Sequence, residues 1–179
     1  MDPDYRKLVD FLVELGTESV AHTGAKGFLA HLIGVYRDLE SWRCDRDVCR
    51  AGMFHSIYGT EKFQKFCLPL ERREEVRQLI GDRAERLAFV NCMMDRTSFD
   101  RLISSCGPYR IIDRLSGGTI ELDEQDFHDL CLLHLCDWLE QVPRSLQWDY
   151  RRQAYRDLAD RLGGIAKESF DRVYTLASA

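Results

Sequence analysis

The chain holds five histidines, and two of them stand where a solvated imidazole would not. His31 interrupts the apolar series Phe28, Leu32, Val35, Tyr36 and Leu39, and His55 closes the series Val48, Ala51 and Gly52. Both series recur at helical spacing, so both rings are predicted to face a core, and antiparallel packing of the two helices would bring them together. Asp137 shares a later apolar face with Phe127, Leu130, Cys131, His134 and Trp138. A buried, unpaired carboxylate costs on the order of several kcal/mol, so an arginine, an imidazole or a metal must answer it. Two imidazoles and one carboxylate with open positions suit non-haem iron, and zinc or manganese can use the same donors to activate a water. His31, His55 and Asp137 are therefore the candidate metal ligands. His22 is a candidate fourth ligand or acid–base group. The plainer reading of each histidine is a hydrogen-bonded core residue. His134, three positions before Asp137, offers that carboxylate a local partner.

Other residues could act on a substrate held beside these. Tyr58 and Thr60 follow His55 closely, Tyr58 as a candidate proton donor and Thr60, with Ser56, as a candidate substrate contact. Arg96 and Arg114 lie in the irregular middle of the chain, where a guanidinium fork could take a phosphate or carboxylate. Against this stand the ordinary roles: Tyr58 packing, Thr60 capping, and the arginines paired with Asp95, Asp100 or Asp113. Cys44, Cys49 and Cys106 have no adjacent base, which argues against a nucleophilic thiol.

The elements that must position these groups read as helices throughout. Apolar periodicity predicts helices over about 4–15, 25–42, 46–56, 71–94 (as one or two), 98–105, 123–142, 145–162 and 165–176. Asp45 and Asp123 are placed to cap two of them, and Gly59 to close the third before Thr60 opens a short further one. Gly27 and Gly34 lower helix propensity and leave room for a neighbour. Between Gly107-Pro108 and Gly117-Gly118, residues 109–115 read as helix and 119–122 as a stub of strand. The expected fold is all-α with strand content near zero, in one domain over 1–179, its core about 20–140 and C-terminal helices about 145–176.

Composition narrows the function classes. The chain has 179 residues, 45% hydrophobic and 31% charged, with a net charge of −5 and no basic block. Nucleic acid and anionic membrane surfaces are thereby disfavoured as partners. No stretch approaches the roughly 20 apolar residues of a membrane span. Met1-Asp2-Pro3-Asp4 lacks the basic start of a signal peptide. Seven scattered cysteines without a Cys-x-x-Cys pair suit a reducing compartment, so a cytoplasmic location is expected. A homodimer is allowed, with Trp42 or Trp148 as interface aromatics if they are exposed.

The run His31-Leu32-Ile33-Gly34-Val35, then Ala51-Gly52-Met53-Phe54-His55-Ser56, and finally Leu135-Cys136-Asp137-Trp138-Leu139, resembles the HD-domain superfamily over roughly residues 20–140. In that family one helix carries a histidine, the next a His-Asp doublet, and a later helix a metal-binding aspartate. The resemblance implies an HD-like, metal-binding helical bundle. Members are mostly phosphohydrolases, nucleotide hydrolases included, with a minority of iron-dependent oxygenases. Here the doublet is His55-Ser56, and Ser56 cannot supply the aspartate's charge or its metal bond, which argues for a mononuclear centre. His22-Thr23-Gly24 together with His55-Ser56-Ile57-Tyr58-Gly59-Thr60 is similar to a distinct HD-like branch known as a domain of unknown function, from which no activity carries over. The expected function is a metal-dependent enzyme acting on a small polar metabolite, with hydrolysis of a phosphorylated ester favoured. An iron oxygenase and a non-catalytic binding protein on a degenerate scaffold are the rivals, the last without a cofactor.

Overall fold

A computed structural model describes residues 2–24 and 26–177. Asp45, Asp95 and Asp123 each cap a helix through a side-chain oxygen that accepts a backbone N–H three residues on. The helices are α1 (Tyr5–Glu14), α2 (Phe28–Ser41), α3 (Arg46–Phe54), α4 (Arg73–Ile80), α5 (Asp82–Met93), α6 (Arg96–Leu102), α7 (Glu124–Gln141), α8 (Arg152–Leu162) and α9 (Gly164–Ala177). The start expected for the second helix, Ala25, lies outside the described residues. So do the ends of the 1–179 span, at Met1, Ser178 and Ala179. No helix among the described residues is long and apolar enough to cross a membrane.

Helices α2, α3 and α7 form the centre, with α5 against α3 and α9 behind α7. Helix α2 buries Phe28, Leu32, Val35, Tyr36 and Leu39 together with His31. Each apolar side chain so buried contributes roughly 1.5–3 kcal/mol, which offsets the desolvation of the polar groups placed among them. Gly52 lets α3 press onto α2: a Cβ there would come within 3.3 Å of Val35 Cγ1. Trp42 is buried and Trp148 packs on the core cluster, so neither offers the exposed aromatic face of an interface.

Three local expectations are corrected, and one left open is decided. Residues 109–115 are not helix. Tyr109–Ile112 forms strand β1, paired antiparallel with strand β2 (Thr119–Leu122), because Tyr109 and Ile111 alternate inward against the core while Arg110 and Ile112 face out. The 71–94 segment is two helices, broken at Gly81, whose φ of 96° is open to glycine alone among common residues. Residues 145–151 are turns rather than the first turns of α8. Arg151, at φ 49°, is left-handed and stops helical continuity there. Gly59 is left-handed as expected, but Thr60 opens no helix: it exchanges hydrogen bonds with the backbone of Phe63 to close a loop.

Candidate metal centre

Three side chains from three helices converge at the middle of the bundle. His31 Nε2, His55 Nε2 and Asp137 Oδ1 lie 3.3, 3.1 and 3.2 Å from one another. All three residues are buried. Ligand bonds of about 2.0–2.2 Å set donors on adjacent coordination positions roughly 3.0–3.4 Å apart, so the triangle has the size that a single divalent ion requires.

The far side of each ring fixes its tautomer. His55 Nδ1 donates to the carbonyl of Gly52 at 2.8 Å, one turn back on α3. Its own carbonyl accepts from Asn91 Nδ2 at 2.8 Å, which ties the end of α3 to α5. His31 Nδ1 donates to Glu140 Oε2. A carbonyl and an ionised carboxylate can only accept, so both Nδ1 atoms carry a proton; each Nε2 then turns a lone pair to the triangle when its ring is neutral and donates to Asp137 when its ring is protonated. Asp137 Oδ1 also accepts from Gln141 Nε2 at 2.8 Å. Burial opposes ionisation of Asp137, but the fields and hydrogen bonds of His55 and His31 outweigh it and hold its pKa well below the usual carboxylate range. Burial likewise opposes a charged His31, and the carboxylates of Asp137 and Glu140 reverse it, raising that pKa.

His22 stands outside the triangle. Its ring stacks on His31 with centroids 4.1 Å apart and 11° between planes, and Nδ1 has no partner among the described residues. Burial first, then the neighbouring His31, lowers its pKa to about 3. It is a neutral imidazole beside the donor set, not a member of it.

A cleft of about 560 Å³ opens onto these residues. His22, His55, Ser56, Thr60, Arg96 and Asp137 line it. Ser56 Oγ sits 3.2 Å from His55 Nε2. Arg96 is buried, and no carboxylate among the described residues forms an ion pair with its guanidinium. Burial opposes its charge, yet the field of Tyr155 and of Asp137 and a hydrogen bond with Tyr150 raise its pKa. Lys62, Lys65 and Arg144 add three more cations to the walls, and Trp138, Tyr150 and Tyr155 supply aromatic surface.

Three sequence expectations are corrected here. Tyr58 does not face the cleft: its hydroxyl donates to Glu85 Oε1 at 3.0 Å, in a buried cluster completed by Arg73. Burial, then Glu85, pushes its pKa further up, so it is no proton donor to this site. Arg114 does not line the cleft either; it donates to the carbonyls of Cys92 and Gly59, at 2.8 and 3.0 Å, and braces the loop after His55. His134 is not the hydrogen-bond partner of Asp137: its Nε2 accepts from Arg151 Nη1 at 3.3 Å. Burial also raises the thiols of Cys44 to about 11 and Cys49 to about 12, which leaves neither nucleophilic.

Glu140, Gln141 and Arg144 are neighbours of the site that the sequence reading missed. Their spacing of three, four and seven from Asp137 was the signal, since a helix puts those positions on one face.

A family model described as a domain of unknown function, DUF6817, matches residues 11–96, somewhat under half of the chain. That stretch holds His22, His31 and His55 and ends before Asp137. No curated protein sequence matches the chain. Among solved structures, a metazoan orthologue of SpoT that hydrolyses ppGpp and plays a role in starvation responses superposes with a TM-score of 0.61, covering 98% of this chain and 96% of that one at 14% identity. A likeness at that identity shows the fold, an all-α HD-like helical bundle.

Proposed function

We propose that the chain is a metal-dependent hydrolase of a small phosphorylated metabolite. The observation that carries this reading is the donor triangle of His31, His55 and Asp137 opening onto a cleft whose wall holds the buried Arg96 guanidinium, which forms no ion pair with a carboxylate among the described residues. A divalent ion held by those three residues would supply Lewis-acid polarisation and an acidified water near neutral pH. The rest falls to the protein. Arg96 binds the anionic group of the substrate, since a buried cation gains most from an anion that completes its hydrogen bonds. Lys62 and Lys65 add positive charge to the cleft wall within a chain of net charge −5, which draws an anion to this face. Ser56 and Thr60 present hydroxyls to the bound group. His22, neutral and with a free Nδ1, is placed to exchange a proton with the reacting oxygen once a bound anion beside it raises its pKa toward the working range. A volume of about 560 Å³ is within the range of small-molecule sites. The structural likeness to a ppGpp hydrolase supports a phosphorylated substrate class.

The absence of a carboxylate at Ser56 favours a second reading, a mononuclear iron oxygenase, because two histidines and one carboxylate suffice for iron. One experiment separates the two. The chain is purified without a metal-affinity column, and its metal content is compared with that of His55→Ala. Release of inorganic phosphate from a panel of phosphate esters is then measured with and without chelator. Near-stoichiometric metal that the variant lacks, with chelator-sensitive phosphate release, is the expected result. Iron with an oxygen-dependent colour change and no phosphate release would establish the oxygenase. No metal in either protein, even after anaerobic incubation with iron, manganese or zinc, would leave a non-catalytic scaffold.

A further inference from the structure

Glu140 is buried one turn beyond Asp137 on α7, and its carboxylate is the meeting point of three cationic or N–H donors from separate parts of the fold. Oε2 accepts from His31 Nδ1 and from Arg144 Nη2, and Oε1 accepts from Lys26 Nζ. Arg144 also donates to the carbonyl of Thr23, so the segment that carries His22 is tied to the same cluster. Space for this cluster is made on α2. A Cβ on Gly34 would lie 2.7 Å from Glu140 Oε1 and 2.9 Å from Lys26 Nζ, closer than packed atoms approach. Gly34 sits three residues after His31, so the helix that presents the imidazole also clears the seat of the group that orients it.

His55 provides the contrast. Its Nδ1 is held by a backbone carbonyl of its own helix, which no side-chain change can remove. His31 has only Glu140 in that role. We propose that Glu140, seated by Lys26, Arg144 and the absent side chain of Gly34, is the positioning residue that fixes the Nδ1-protonated tautomer of His31 and turns its Nε2 lone pair into the donor triangle. A carboxylate behind a ligating imidazole raises its donor strength and locks its rotation. The metal-affinity part of this inference rests on the reading given under Proposed function; the tautomer part does not.

The test uses the full chain, Glu140→Gln and Gly34→Ala. Gln keeps the volume of Glu140 and removes its charge. Ala displaces the flexible ends of Glu140 and Lys26 while leaving the backbone of α2 in place. Nitrogen-15 spectra of the imidazoles report the tautomers of His31 and His55, and calorimetric titration with zinc or manganese(II) alone reports affinity. The expected result is a changed His31 signal with an unchanged His55 signal in both variants, and binding about 10- to 100-fold weaker than in the native chain. A His31 signal identical to native in Glu140→Gln, or undiminished affinity in both variants, would overturn the proposal. A native chain that binds neither ion sinks the metal reading instead, and the imidazole signals then decide the tautomer on their own. If both histidine signals move together the effect is a general disturbance, and the positioning role is refuted.

Discussion

The rings of His22 and His31 are stacked, 4.1 Å between centroids and 11° from parallel, although His22 comes from an irregular segment and His31 from the first turn of α2. The stack sets His22 beside the donor triangle while keeping its nitrogens out of it. On the proposed reading, proton transfer and metal holding fall to different imidazoles. His22→Phe keeps a flat ring in the stack and removes Nδ1. Metal content is expected to match that of the native chain, while kcat falls by about 10²- to 10⁴-fold, the usual worth of a positioned acid–base group. Elemental analysis beside steady-state kinetics checks both halves. Loss of metal in this variant would make His22 a ligand.

Arg96 is a cation buried at the cleft without a carboxylate partner among the described residues. Burial opposes its charge, and the field of Asp137 and a hydrogen bond with Tyr150 offset that. Arg96→Met is expected to change stability by less than about 1 kcal/mol, since loss of the desolvation cost is offset by loss of the attraction to Asp137 and of the hydrogen bond with Tyr150. It is also expected to abolish the rise in melting temperature that inorganic phosphate or a phosphate ester produces in the native chain. Thermal melts of both proteins, with and without ligand, read the two effects together. A destabilised variant that still responds to phosphate would make Arg96 a structural residue.

Tyr58 tests the boundary of the site. Its hydroxyl is committed to Glu85, which Arg73 also holds through Nε at 2.7 Å and Nη2 at 2.9 Å. Tyr58→Phe removes one neutral donor and leaves the Glu85 charge paired, so a loss of about 1 kcal/mol is expected with kcat unchanged. Denaturant titration and the phosphate-release assay supply the two numbers. A fall in kcat without loss of stability would return Tyr58 to the reacting group.

Helical periodicity alone was enough to place His31, His55 and Asp137 inward. Each breaks an apolar stripe, and the stripe says which way the side chain points. Their mutual distance was not contained in that pattern, because it depends on how closely α2, α3 and α7 approach, and Gly52 and Gly34 govern that approach through side chains they lack. The same limit explains Tyr58 and Arg114. Tyr58 follows the second histidine and Arg114 lies in the irregular middle of the chain, but Tyr58 turns to α5 and Arg114 to the carbonyls of Cys92 and Gly59.

The strand at 109–112 shows a second kind of limit. Four residues with two β-branched members fit a short helix or a strand, and only pairing with 119–122 decides between them. Residues 145–151 show it again. Their composition is helical, and the turn there follows from Arg151, whose side chain reaches His134 and Asp100 across the bundle.

By itself, then, the sequence determined the all-α class, the inward groups and their chemical types, because periodicity and capping are local properties of the chain. The tertiary structure alone decided which of those groups meet, that Glu140 and Gln141 stand behind His31 and Asp137, and that Arg96 faces the cleft without a carboxylate ion pair among the described residues. Those relations are set by packing between segments far apart in the chain, where a few tenths of an ångström at a glycine determine whether a carboxylate can stand behind an imidazole.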